Sequence, residues 1–419
     1  MTEAITATTP YELNDAFPNL EGLNRLERAA KIANTRNAIR KVKPQTYTVK
    51  SQQGLVSYVV SKDAEGNYKC SCPDHLLNGC ECKHIIAVKM YLEERSQDLS
   101  GKKAKAESEG KEFRDWSNYS LAQMSESELF PIYLKELVNL VKEPEKKAGR
   151  PSIPLADNIY MAVSKVASLR SSRRAYGEIV NAEKAGNIER QYGYNNVNVF
   201  LNRADVTPLL RELLRASAQP LSEIEHIFAI DASGFGTYQF GDWLDDKWAA
   251  DDKRKHTYVK AHVACGVVSN IITDAVVTSS SVADMNELQT LLDGTCGRFK
   301  ADEVLADKGY LSNKNYAYIK KSGARGYIDF KENVTGRGCP AWREAFLNFL
   351  QHRDEFYAHY HKRSNVETTF GAIKAKYQEK LKSKNEVAQM NELYCKMIAY
   401  NISVVIRMAF TQDVNVAFK

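Results

Sequence analysis

Tyr360, Arg363, Glu367 and Lys374 stand three, four and seven residues apart in the stretch YHKRSNVETTFGAIK. On a helix, which turns about 100° per residue, that spacing gathers the four side chains into an arc of roughly 60°. Val366, Phe370, Ile373 and Tyr377 fall on the adjacent strip and give the helix a core to pack against. One carboxylate beside two cations and a phenol has a bland reading, a solvated face with weak helical ion pairs. It also has a sharper one, in which Glu367 binds a metal ion while the cations face phosphate. The sharper reading needs more carboxylates from elsewhere in the chain.

A second set of chemistry-bearing residues lies near the start. Of eight cysteines, four crowd between residues 70 and 82, in YKCSCPDHLLNGCECKHIIAVKMYLEE. That crowding suits a metal knuckle better than a disulfide framework. Cys70, Cys72, Cys82 and His84 make a complete tetrahedral zinc shell, and a closed shell of that kind is structural. His75 and Cys80 lie in the same loop and leave the ligand choice open by one position.

Strands and helices must position these groups. TYTVKSQQGLVSYVV (46–60) is two β-rich runs around a turn, and a third short run leads into the knuckle and a helix from about Lys83. SQDLSGKKAKAESEGKE (96–112) is polar and aperiodic and is expected to link. SNYSLAQMSESELFPIYLKELVNLV has helical spacing, and residues 153–220 form several short helices with no strand pattern. That segment is either a helix-turn-helix reader of DNA, with Arg170, Arg173 and Arg174 on phosphates, or a packing module.

From residue 224 strands and helices alternate. IEHIFAIDASG is a buried strand ending in Asp231; HTYVKAHVACG and NIITDAVVTSS are two more strands, and VADMNELQTLLDG is an amphipathic helix. DEVLADKGYLS is a strand that breaks at Asp307, with Ser312 placed to cap the helix NKNYAYIKKSG. ARGYIDF is a further strand, and WREAFLNFLQ leads to the helix of Glu367. Three meandering strands, then helix, strand, helix, strand and helices, is the order of an RNase H-like domain. Its mixed five-stranded sheet, flanked by helices, sets the ends of the first and fourth strands side by side with a later helix alongside. Asp231, Asp307 and Glu367 occupy those three places. Three converging carboxylates repel unless cations fill the gap, and hard oxygen ligands suit Mg²⁺ or Mn²⁺. Two such ions about 4 Å apart can activate water and stabilise a leaving oxygen in phosphoryl transfer.

Other candidates are weaker. Lys260 and His262 alternate on one face of the second strand and could point at the cleft, though a structural histidine is the simpler reading. Trp243 and Trp248 could stack on an extruded base. Asp284, near a helix start, is most simply an N-cap.

Charged residues make up 26% and hydrophobic ones 43%, and no uninterrupted apolar run nears the ~20 residues of a membrane span. The start, MTEAITATTPYELNDAF, lacks the pattern of a secretory signal, so a cytoplasmic location is expected. The net charge of +6 leans towards nucleic acid, and seven Lys or Arg against two Glu lie between Lys362 and Lys384.

Two resemblances sharpen the expectations. Cys-x-Cys, a spacer, then Cys-x-His resembles the SWIM zinc finger, which implies Cys70, Cys72, Cys82 and His84 as Zn²⁺ ligands and a role in binding DNA or protein. Tyr360, Arg363, Glu367 and Lys374 reproduce the Tyr-x2-Arg-x3-Glu-x6-Lys motif of IS4-type DDE transposases. FAIDASGFG, LADKGYLS and the stretch through NELYCKMIAYNI also look like that family, over roughly residues 150–410. The resemblance implies a metal-dependent transposase of an insertion sequence, which cuts at inverted-repeat ends and joins the 3′-hydroxyl to target DNA as a homodimer or larger assembly on double-stranded DNA. By position it makes Asp231, Asp307 and Glu367 the catalytic Mg²⁺ (or Mn²⁺) ligands and Tyr360, Arg363 and Lys374 the DNA-contacting set. The sixty residues from Asp307 to Glu367 are too few for the large insertion that some relatives use in hairpin-type excision. A transposase-derived regulator that no longer cuts, or an RNase H-like nuclease without strand transfer, are the alternatives. The expected organisation is 1–95 with the zinc finger (core 46–95), a linker at 96–117, a helical DNA-binding segment at 118–220 and an RNase H-like DDE catalytic domain at 221–412.

Overall fold

The computed structural model describes residues 24–52, 56–63, 65–109, 113–144, 152–237, 258–279 and 282–418. Trp243 and Trp248 lie outside the described residues. The chain divides into two compact units: the described residues up to Ser125 with Arg407–Asn415, and Glu126–Ile406 with the final few residues.

The first unit begins with α1 (Arg25–Asn34), whose start is a capping box: Glu27 N–H donates to Asn24 Oδ1 at 2.9 Å and Asn24 N–H to Glu27 Oε2 at 2.8 Å. An antiparallel meander follows, β1 (Ile39–Lys43), β2 (Thr46–Lys50), β3 (Ser57–Lys62) and β4 (Tyr68–Cys70), in that order across the sheet. In β2, Tyr47 and Val49 alternate inward, as a half-buried strand requires. They share one core with Ala29 and Ile32 of α1, Val60 of β3, and Ile85 and Val88 of α3 (Lys83–Ser108). α2 (Pro73–Asn78) bridges β4 and α3.

Residues 96–108, expected as linker, form the second half of α3. A helix that is polar all round lacks the apolar stripe that announces it, and is supported by pairs such as Asp98–Lys102, 2.6 Å at i,i+4. β1 also escaped the sequence reading, because its Arg40, Lys41 and Lys43 mask an edge strand.

α4 (Trp116–Val138) leads into four helices of the second unit: α5 (Leu155–Ala167), α6 (Tyr176–Lys184), α7 (Asn195–Leu201) and α8 (Thr207–Ala218). No strand occurs among their described residues, as expected. The five-stranded sheet comprises β5 (Ile227–Gly236), β6 (Tyr258–Gly266), β7 (Ile272–Ser279), β8 (Glu303–Ala306) and β9 (Arg325–Ile328), in the order β7-β6-β5-β8-β9. β5, β6 and β7 pair antiparallel, and β5, β8 and β9 pair parallel, so the sheet is mixed. α9 (Leu288–Cys296) and α10 (Asn313–Lys321) supply the crossovers, and Ser312 Oγ caps α10 by accepting from Asn315 N–H at 3.1 Å. α11 (Pro340–Gln351), α12 (Arg353–Tyr360), α13 (Ser364–Tyr377) and α14 (Glu386–Thr411) complete the chain.

Two polar anchors lock helices to edge strand β7. Asn401 of α14 accepts from Ile272 N–H at 2.9 Å and donates to Ile272 O at 2.8 Å, pairing backbone groups a free edge would leave open. Asp274, fully buried, accepts four hydrogen bonds from Arg211 and Arg215 of α8. α14 has the length and composition of a membrane span, but its apolar window is 89% buried, so it is a core helix.

Candidate active site

β5 buries Phe228, Ala229 and Ile230 and then reaches Asp231, but the strand does not end there as the sequence suggested: it runs on to Gly236, paired with β6 throughout. In β8, Val304, Leu305 and Ala306 are buried and Asp307 follows. The parallel register pairs Ile230 with Ala306, so Asp231 and Asp307 stand one step on from the same rung of neighbouring strands. Such strands lie about 4.8 Å apart, so the two aspartates begin as neighbours. Asp307 precedes the 3₁₀ turn Lys308–Tyr310, and its carboxylate does not cap that turn.

Glu367 comes from α13, which buries Val366, Thr369, Phe370, Ile373 and Tyr377. That strip packs on the sheet face of Asp231, through Phe370 against Phe235 and Thr369 Oγ1 to Cys265 Sγ. Glu367 sits on the open flank of the helix, 57% exposed. Arg363 ties the elements together: its guanidinium donates to Asp231 Oδ2 at 3.1 Å and to Glu367 Oε1 at 2.8 Å.

Burial pushes the Asp231 carboxyl above its ordinary range; the Ala232 N–H and the Arg363 guanidinium pull against that, and the negative charges of Asp307 and Glu367 add to it. A positive charge already sits between Asp231 and Glu367, and all three donors are hard oxygens, so the set fits a divalent cation. The three do not close to within 4.8 Å of one another, a spacing that only the cysteine–histidine group reaches among the described residues.

Tyr360, Arg363, Glu367 and Lys374 are not on one continuous helix. α12 ends at Tyr360, His361–Arg363 is a 3₁₀ turn, and α13 starts at Ser364. Tyr360 is largely core, stacked on Phe356, with the Arg363 guanidinium 5.9 Å from its ring. Lys374 pairs with Glu379 at 3.0 Å and lies 5.3 Å from the ring centre of Phe235. Among the phosphate candidates, Arg170 pairs with Glu178 at 2.9 Å, Arg173 lies 5.9 Å from the Tyr194 ring, and Arg174 is exposed.

Lys260 and His262 face away from Asp231, because Asp231 pairs with Val263 and side chains alternate. Lys260 Nζ donates to Asp284 Oδ1 at 2.9 Å, and His262, fully buried, meets Thr278 Oγ1 at 2.9 Å. Burial pushes His262 down to about 4, against the pull of Asp284, so it is neutral at pH 7. Asp284 is no N-cap: it is the first residue of a 3₁₀ turn capped by Ala283. The sequence reading missed Asp329, which follows β9 as Asp307 follows β8. Its position after YI in ARGYIDF was the available signal. Lys308 pairs with it at 2.9 Å and Tyr357 donates to it at 3.2 Å.

In the first unit, Cys70, Cys72, Cys82 and His84 are buried with their ligand atoms mutually within 4.8 Å. His84 Nδ1 lies 3.9 Å from both Cys70 Sγ and Cys82 Sγ, close to the roughly 3.6 Å edge that zinc–ligand distances imply for a tetrahedron. A hydrogen bond from Cys70 holds the Cys82 thiol low, at about 3, as a soft anionic donor. His75 Nδ1 instead meets Cys80 O at 2.8 Å, and the Cys80 thiol turns to Asp74, which leaves those two outside the group. These four donors fit zinc.

No curated protein and no solved structure matches this chain. Residues 223–402 match the family model described as transposase DDE domain, a span that opens just before β5 and takes in Asp231, Asp307, Arg363, Glu367 and Lys374. Over those residues the chain is similar to a transposase DDE domain.

Proposed function

We propose that the protein is an IS4-type insertion-sequence transposase, with an RNase H-like catalytic domain and a SWIM-type zinc finger. It cuts double-stranded DNA at transposon ends and transfers the freed 3′-hydroxyl to a target phosphodiester. The observation that carries this reading is the approach of Asp231 from the middle of β5, Asp307 from the end of neighbouring β8 and Glu367 from one helix, with Arg363 bridging two of them. The strand order β7-β6-β5-β8-β9, antiparallel then parallel, supports the RNase H-like assignment.

Asp231, Asp307 and Glu367 would hold Mg²⁺ or Mn²⁺, which supplies Lewis-acid polarisation of a phosphate oxygen and a more acidic bound water. Arg363 sits at the carboxylate rim and offers a forked cation to the phosphate that enters there. Lys374, farther along α13, gives a point charge to the next phosphate once Glu379 releases it. Tyr360 is the floor under Arg363, its ring buried and its face towards the guanidinium. Water attack on the scissile phosphorus breaks the P–O3′ bond and leaves the 3′-oxygen as a hydroxyl. That hydroxyl then attacks the target phosphodiester, forming one P–O bond as another breaks.

In the first unit, Cys70, Cys72, Cys82 and His84 would hold Zn²⁺ as a structural ion. Arg170, Arg173 and Arg174 would add phosphate contacts from the helical segment, with the protein acting in the cytoplasm as a dimer or larger assembly on two ends. Asp231→Asn, Asp307→Asn and Glu367→Gln should each abolish Mg²⁺-dependent cleavage and joining on an end-containing duplex while leaving end binding intact. Undiminished cutting by any one removes that residue from the site. Binding without cutting by the unaltered protein would make it a regulator, and cutting without joined products a nuclease.

A further inference from the structure

Tyr310 ends the turn that begins at Asp307. Its N–H donates to Asp307 O at 2.9 Å and its carbonyl accepts from Asn315 Nδ2 at 2.8 Å, so the main chain is fixed on both sides of the ring. The ring is only 1% exposed, and the hydroxyl is buried without a hydrogen-bond partner among the described residues. Burying such a group unpaired is costly, and phenylalanine would fill the same space without that cost. Packing therefore does not account for the oxygen.

The hydroxyl's surroundings suggest what does. Burial first, then the negative charges of Asp231, Asp284, Asp307 and Glu287, raise its pKa far above the ordinary phenol value, so it remains an O–H donor wherever those carboxylates are ionised. Asp284 is already engaged by Lys260 at 2.9 Å. Asp307 leaves its own turn uncapped, and Asp231 spends one oxygen on Ala232 N–H and the other on Arg363.

We propose that Tyr310 is a positioning residue of the acidic site: its hydroxyl donates to the Asp231–Asp307 carboxylate pair when that pair takes up a divalent cation. Donors of this kind orient ligand oxygens, and losing one typically weakens metal affinity by about 10–100-fold. The inference rests on reading Asp231, Asp307 and Glu367 as metal ligands, and the test separates the two.

The full chain is compared with Tyr310→Phe and Asp231→Asn by calorimetric titration with Mn²⁺ and by thermal denaturation without added Mn²⁺. Tyr310→Phe should melt at or above the temperature of the unaltered protein, yet bind Mn²⁺ at least about tenfold more weakly. Asp231→Asn should lose that binding. Unchanged Mn²⁺ affinity in Tyr310→Phe, with binding lost in Asp231→Asn, overturns the role of the hydroxyl alone. A lower melting temperature in Tyr310→Phe also overturns it, because the hydroxyl would then have a structural partner. Unchanged binding in Asp231→Asn overturns both the inference and the metal reading beneath it.

Discussion

Replacing Arg363 with glutamine removes a cation that contacts two of the three carboxylates. At 3.1 Å the Arg363–Asp231 attraction is about 5 kcal/mol for an effective dielectric of 20 and about 1 kcal/mol in bulk water. With the two side chains 20% and 22% exposed, the pair is neither a surface contact nor a sealed one. A loss of about 1–3 kcal/mol is therefore expected, between the usual surface and buried values. The sign with pH follows from Asp231. Burial already raises its folded pKa, so the folded state holds that proton more tightly than the unfolded chain, and stability falls as pH rises towards the folded value. Without Arg363 the folded pKa rises further. The deficit of Arg363→Gln should be full at pH 8 and shrink as pH falls and Asp231 takes a proton. Hydrogen exchange of the β5 amides, corrected for intrinsic rates, reads the stability of this unit without mixing in the other. The deficit should largely vanish in Asp231→Asn, giving a coupling energy of about 1–3 kcal/mol. A deficit that does not shrink as acid protonates Asp231, or a coupling below about 0.5 kcal/mol, would refute the claim that Arg363 is the counter-ion of Asp231.

Purified protein should hold one zinc per chain, and chelation or Cys82→Ser should lower the stability of the meander core around Tyr47, Val49 and Val60, because those thiols are part of it; tryptic cleavage within residues 24–108 checks this. Gly294→Ala should cost about 3–5 kcal/mol or block folding, since a Cβ there would lie 2.0 Å from Asp274 Oδ2 and break a buried charge cluster; soluble yield and the midpoint of urea denaturation report it. Lys374→Ala should weaken DNA binding evenly across sequences and reduce the salt slope by about one unit, checked by titrations between low and moderate salt.

What could be seen in the sequence was whatever local pattern and topology decide together. Apolar runs ending in an aspartate marked β5 and β8, and the strip Val366, Phe370, Ile373, Tyr377 marked the buried face of α13. The cysteine–histidine ligands could be listed but not chosen, because spacing cannot show that His75 turns to the Cys80 carbonyl. A polar helix such as the second half of α3 was invisible for want of a stripe. The break at His361–Arg363 was also hidden, since a 3₁₀ turn keeps helical spacing nearly intact while re-aiming the chain. The same break gives the residues of the four-residue motif different exposures. Tyr360 ends one helix buried under Arg363, while Glu367 starts from the next helix and points outward. On one unbroken helix the phenol and the carboxylate would share an exposure. Split by the turn, Tyr360 is buried as a floor while Glu367 stays open for the ligand role proposed for it, with Arg363 at the corner reaching both Glu367 and Asp231 in the middle of β5.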